Sequence, residues 1–392
     1  MSSTPAKIET SIPFFRATIG QEEIDGVMET LESGWLTSGP KVKAFEKEFA
    51  EAVGAKHAIA VNSATAALHL ALESLNVGAG DEVLVPTMTF AATAEVVIHL
   101  GATPVLVDCD PGTLNVSLSD LAAKRTAKTK VAMPVHYAGQ PCQMQEIADF
   151  ADQHGIHVVE DAAHAFPAAY RGQAIGSLSL ATCFSFYANK TMTTGEGGML
   201  TTNDDATADR ARKMSLHGLS RGAWNRFTAK GSWYYEIEAP GYKYNLPDVA
   251  AAIGLGQLHQ AENFLQERRR CAARYISAFA DSKLIDTLEQ SPDVDSAWHL
   301  LVIKLNLPEL TIDRSEFIVK LNEAGVGTSV HYTPLHLHPL YRERFGYKPE
   351  DMPIASGVFD QIVSLPIFPS MTDEQLEYVI DNVLAIAAEH QR

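Results

Sequence analysis

Up to about residue 245, short apolar runs alternate with longer amphipathic stretches. HAIAVN (57–62), DEVLVP (81–86), TPVLVDCD (103–110), KVAMPVHY (130–137), IHVVED (156–161), TCFSF (182–186) and GMLTT (198–202) predict strands. Helices are predicted between them, over SATAALHLALESL (63–75), with Ser63 as its N-cap, and over 90–100. Runs that are apolar on both faces and separated by helices signal a mostly parallel sheet covered on both sides. Beyond that point the pattern changes. Residues 248–281 predict one long helix leading out of the first unit, followed by a strand at 298–305, a helix at 313–324, a short strand at 326–330 and a final helix from Thr372. The chain therefore divides into a large α/β domain over 1–250 and a smaller C-terminal α+β domain over 251–392.

Composition narrows the classes. Of 392 residues, 46% are hydrophobic and 20% charged, an ordinary globular balance. The formal net charge of −17 argues against nucleic acid or an anionic membrane as the main partner, since both need a positive footprint. It leaves room for an anionic small molecule in a local pocket. Cys109, Cys142, Cys183 and Cys271 form no CxxC pair, so neither a metal site nor a disulfide framework is expected. No secretory signal and no apolar run long enough to span a membrane is evident, and a cytoplasmic location is expected.

Three stretches carry candidate chemistry. In FSFYANKTMTTGEGGMLTT (184–202), Lys190 follows a buried-looking strand and precedes a glycine-rich turn. Burial lowers a lysine pKa and favours the neutral amine that forms a Schiff base; a lone lysine more often snorkels to solvent. In VVEDAAHA (158–165), a strand ends in Glu160 and Asp161. Ligands of open α/β sheets bind at carboxyl ends of strands, and alternation of side chains means that these two carboxylates do not both face a ligand. The bland alternative for Asp161 is a helix N-cap. In NSATAALHL (62–70), small and hydroxylic residues open a helix whose N-terminal N–H groups suit a phosphate, although an ordinary capped helix has the same look. Neither GxGxxG nor GxxxxGK[ST] is present, which disfavours a nicotinamide-dependent dehydrogenase. An amine, an acid and a phosphate cradle match the three reactive groups of pyridoxal 5′-phosphate (PLP).

The chain resembles the DegT/StrS-type nucleotide-sugar aminotransferases, PLP-dependent enzymes of fold type I. The resemblance runs from Ile12 to about residue 385, through GWLTSGPKVKAFEKEFAE (34–51), NSATAALHLAL (62–72), PTMTFAATA (86–94), GATPVLVDCD (101–110), GYKYNLPDVAAAIGLGQL (241–258) and HYTPLHLHPLY (331–341), together with the Lys190 and Asp161 segments. It implies that Lys190 is the Schiff-base lysine and that Asp161 pairs with the pyridine nitrogen. It further implies that His164 lies near the phenolic oxygen, Phe90 stacks on the ring, and Ala64, Thr65 and Ser185 hold the phosphate. Many relatives carry Gln at the position of His164. Asn245 matches a residue reaching the neighbouring subunit's phosphate, which implies a homodimer with shared sites. The GEGG turn (195–198) lets the backbone pass close to the cofactor, with Glu196 solvated. Relatives with histidine in place of the lysine are sugar dehydratases, so Lys190 favours transamination, from glutamate to a keto sugar, over the dehydratase alternative. The acceptor is expected to be a nucleotide-linked 4-keto-6-deoxy hexose, with a keto sugar acid lacking the nucleotide as the alternative. Candidate substrate contacts are Thr37, Ser38, His217, Arg221, Arg226, Tyr332 and His336, with 221–236 as a substrate loop.

Overall fold

The computed structural model describes residues 11–220 and 235–392. Its main sheet has seven strands in the order His57–Val61, Gly198–Thr202, Ala181–Ser185, His157–Asp161, Thr129–Ala132, Glu82–Pro86, Thr103–Val107. The last five in that order pair parallel, and Gly198–Thr202 runs antiparallel to both of its neighbours. The strands predicted for this sheet all appear, with ends that shift by up to five residues, the most at 130–137, which is a strand only over Thr129–Ala132.

Alternation explains why the runs are apolar throughout. Ile59 and Val61 point into one core with Leu68, Leu72, Val83 and Val85. Ala58, Ala60 and Leu84 point into the other, with Phe45, Phe49, Phe184 and Phe186. Phe49 is fully buried and meets four aromatic rings at centroid distances of 4.8–6.0 Å. Truncating it to alanine is expected to cost about 3–5 kcal/mol.

A third core lies around Cys271, Tyr275, Phe317 and Val383, below a three-stranded sheet of Ile285–Thr287, Leu301–Leu305 and Ile362–Leu365. Ile12 belongs to this core and exchanges backbone hydrogen bonds with Gly325 and Gly327 (both 2.8 Å). The N-terminal segment therefore packs with the C-terminal elements, although the sequence division puts it in the first domain. The division at residue 250 also falls inside a helix, Asp248–His259. That helix ends at Gln260, and a second runs over Ala261–Phe279, so the single long helix expected over 248–281 is two. The strand expected at 326–330 is reduced to isolated bridges, Ile12 with Val326 and Ser329 with Ser364.

Candidate active site

Asp161 closes a central strand of the main sheet, and its side chain is buried at the carboxyl end. Thr93 donates its hydroxyl proton to Asp161 Oδ2 (2.8 Å), and the Ala163 N–H donates to Oδ1 (3.1 Å). No helix follows, so Asp161 makes an Asx-type turn rather than an N-cap. Burial pushes its carboxyl above the ordinary range, opposed by these two hydrogen bonds and by Lys190 and His136 nearby. Glu160 points to the opposite face, as alternation requires. There it accepts from Ser179 (2.6 Å), Thr182 (2.9 Å) and His136 Nε2 (2.8 Å).

Lys190 sits in the turn after Ala181–Ser185, its N–H donating to the Tyr187 carbonyl (3.0 Å). The side chain keeps partial exposure toward a cavity, yet enough protein surrounds the amine to push its pKa down to about 8, against the upward pull of Asp161. That leaves a substantial neutral fraction near physiological pH.

Both groups line one cavity of about 480 Å³. The structure brings Ala64, Thr65, Phe90, His164, Ser185 and Tyr332 into its walls as well. Ser63 caps the helix Ala64–Ser74 by accepting from the Ala66 N–H (3.1 Å). The N–H groups of Ala64 and Thr65, in the first turn, have no intrahelical acceptor. Gly198 explains how the glycine-rich turn fits. A Cβ there would lie 2.4 Å from the Ser63 carbonyl carbon and 2.6 Å from the Ala64 nitrogen, so only glycine lets the turn close on this helix end. Phe90 is 63% exposed, with its ring centre 6.0 Å from that of Tyr332.

The cavity suits PLP on grounds of its own. His164 Nδ1 and Asn189 Oδ1 are buried polar atoms with no partner among the described residues, and both residues line it. The first-turn N–H groups and Ser185 suit a phosphate, Asp161 suits a protonated ring nitrogen, and Lys190 suits an aldehyde.

The remaining candidates divide. Tyr332 is in the cavity but bonds His164 Nε2 (2.8 Å), a pairing the sequence did not suggest. His336 is a correction. It is fully buried, Nδ1 pairs with Thr87 (2.7 Å) and Nε2 with Ser356 (2.9 Å), so neither nitrogen is left for a substrate. His217 is exposed and lies outside the cavity lining. Arg221 and Arg226, with most of the expected loop, lie outside the described residues. Thr37, Ser38 and Asn245 form a separate cluster in which Asn245 donates to Ser38 (2.8 Å) and Thr37 (3.3 Å). Buried Asp248 holds it together by accepting from the Gly39, Lys41 and Val42 N–H groups (2.5–3.2 Å), capping a helix that has no side-chain cap of its own. None of Thr37, Ser38 and Asn245 lines the Lys190 cavity of the same chain. Sequence reasoning missed Thr93, His331 and Asn189; the PTMTFAATA motif holds Thr93 but gives no sign of its reach to Asp161.

The model of the DegT/DnrJ/EryC1/StrS aminotransferase family matches residues 17–384. The chain is 50% identical over 373 residues to the spore coat polysaccharide biosynthesis protein SpsC of Bacillus subtilis (strain 168), covering 95% of this chain and 96% of that protein. Among solved structures, the PLP form of a putative sugar aminotransferase, Spr1654 from Streptococcus pneumoniae, matches with a TM-score of 0.89 and 35% identity, over 97% of this chain and 99% of that one. Helicobacter pylori PseC, an aminotransferase involved in the biosynthesis of pseudoaminic acid, matches with a TM-score of 0.90 and 27% identity, over 97% of this chain and all of that one.

Proposed function

The chain belongs to the DegT/DnrJ/EryC1/StrS aminotransferase family, and from that premise we propose that it uses PLP to move an amino group from L-glutamate to the keto group of a nucleotide-linked 4-keto-6-deoxy hexose. The observation that carries this reading is the convergence of the Lys190 amine and the Asp161 carboxylate on one cavity that also exposes unpartnered polar atoms of His164 and Asn189. The relatives supply the setting: SpsC is a spore coat polysaccharide biosynthesis protein, and amino sugars for a surface polysaccharide fit that context.

When bound, PLP supplies an aldehyde that condenses with amines and a protonated ring that accepts electron density. The residues do the rest. Asp161 holds the proton on the ring nitrogen, because a negative charge beside the cation stabilises it. Lys190, with a pKa near 8, would take the α-proton of the donor as a base and return it as an acid to the carbon on the far side of the donor nitrogen, where balanced basicity is most useful. Ala64, Thr65 and Ser185 would hold the phosphate, and Phe90 would lie against the ring. The Thr37–Ser38–Asn245 cluster serves the cavity of a second copy, so the working form is a homodimer.

The test is a half-reaction. Glutamate added to the PLP-loaded protein bleaches the visible band and releases one equivalent of 2-oxoglutarate, and the Lys190→Ala protein gives no turnover. Full turnover by that variant sinks the assignment. The aminated protein is then mixed in single turnover with a panel of keto sugars, with and without a nucleotide, and recovery of the visible band identifies the acceptor. For the dimer, Lys190→Ala and Asn245→Ala chains are unfolded together and refolded as a mixture. Each mixed dimer holds one intact site, so about a quarter of wild-type activity returns; no recovery rejects sharing.

A further inference from the structure

His164 is a cavity residue whose hydrogen-bonding role is not fixed by its chemical type. A neutral imidazole carries one proton, and which nitrogen holds it decides whether the other donates or accepts. Its Nε2 lies 2.8 Å from the Tyr332 hydroxyl, and its Nδ1 is buried without a partner among the described residues. The ring cannot turn freely. Tyr332 stacks on one side at 5.9 Å and 25°, and His299 packs at 4.4 Å.

The short contact admits two arrangements. If Nε2 carries the proton and donates to Tyr332, the phenol proton has no other acceptor among the described side chains, and Nδ1 presents a bare lone pair to the cavity. If the phenol donates to Nε2, the phenol proton has its acceptor and Nδ1–H faces the ligand. An anionic ring oxygen is repelled by the first arrangement and bound by the second. The surrounding charges support a neutral imidazole beside a protonated phenol. Burial, with Lys190 and His331 nearby, pushes His164 well below the usual histidine range. His299 is pushed down in the same way and adds no charge. Burial beside Asp161 pushes the Tyr332 phenol far above its usual value.

We propose, resting on the reading that this cavity takes PLP, that Tyr332 is a positioning residue whose O–H donates to His164 Nε2 and so fixes the ring proton on Nδ1, which donates to the cofactor's phenolic oxygen. A side-chain amide at position 164 would carry its own N–H donors and need no such partner. The device is therefore specific to histidine at this place.

Two measurements test it. In the full-length protein without cofactor, 15N-histidine NMR identifies the His164 tautomer, with His164→Gln assigning the signal. The wild type shows the Nδ1–H form, and Tyr332→Phe loses it for an Nε2–H or mixed population. In the PLP-loaded protein, Tyr332→Phe moves the pH midpoint of the visible absorbance band by about one unit, the effect of one charge-assisted hydrogen bond. The same change made on His164→Gln produces no shift. An Nε2–H tautomer in the wild type, or an equal shift on both backgrounds, overturns the proposal. A protein that takes up no PLP refutes the functional reading instead, and the tautomer measurement still decides the role of Tyr332.

Discussion

Glu160 and Asp161 are consecutive in one strand, and the two faces of that strand treat their carboxyl groups in opposite ways. Glu160 is saturated: a histidine ring, a serine and a threonine all donate to it, and the His136 ring is held at its other nitrogen by the Cys142 N–H (3.0 Å). Asp161 receives two hydrogen bonds and lines a cavity, so part of its capacity as an acceptor remains for a ligand. The residues look interchangeable in sequence. What separates them is whether the fold has already used the group. A saturated buried carboxylate holds the strand end in place, and an unsaturated one is available for chemistry.

Substitution should separate the two faces. The largest effect is expected for Asp161→Asn, with the glutamate half-reaction slowed by roughly 10²–10³-fold, the range for removing one electrostatic partner of the reacting atoms. Stability should move the other way. Burial raises the Asp161 pKa, so the charged form is penalised in the folded protein above the unfolded pKa. Removing the charge should leave the melting temperature of the cofactor-free protein at pH 8 unchanged or higher. Glu160→Ala should reverse this pattern: about 3–5 kcal/mol of stability lost, because the buried His136 and Thr182 donors lose their acceptor, with turnover per folded molecule retained. Denaturant melts and active-site titration of both variants check the pair. Two variants with the same profile would erase the distinction.

A smaller effect links Asp161 to the lysine across the cavity. The Lys190 amine is pushed down to about 8, and Asp161 pulls it upward. In the cofactor-free protein, an amine-selective reagent should modify Lys190 with a midpoint near pH 8, and Asp161→Asn should move that midpoint lower. An upward move means that the carboxylate does not act on the amine.

Much of this was legible in the sequence, for a physical reason. Period-two alternation separates Glu160 from Asp161, and a strand followed by a glycine-rich turn leaves Lys190 at the edge of the core; both are local rules. The positions of Ser63, Lys190, Asp161 and Gly198 follow from residues within a few places of one another. What was hidden depends on contacts between distant segments. His336 looks like a substrate ligand until Thr87 and Ser356 are found at its two nitrogens. The predicted strand at 326–330 has an apolar pattern but only single-residue pairings to either side. The break at Gln260 carries neither glycine nor proline, so nothing in the local pattern announces it. Tyr332 has the right chemistry for a substrate contact, and only its distance to His164 reveals a partner.

The smallest expected effect tests the finest part of the contrast, the donor that tunes Asp161. Thr93 reaches Asp161 from 68 positions away, and its hydroxyl also pairs with Thr89 (2.7 Å). Thr93→Val keeps the shape and removes the hydroxyl. Its donation lowers the Asp161 pKa, so its loss should let burial raise that pKa further. The reaction needs Asp161 ionised to hold the ring proton. The acid limb of the pH–rate profile should therefore shift upward, with a loss of about tenfold at its low-pH side, one hydrogen bond in magnitude, and recovery as pH rises. If the loss were the same at every pH, the hydroxyl would act through packing, and the claim that Asp161 is tuned from this side would fail while its assignment as the ring partner stood.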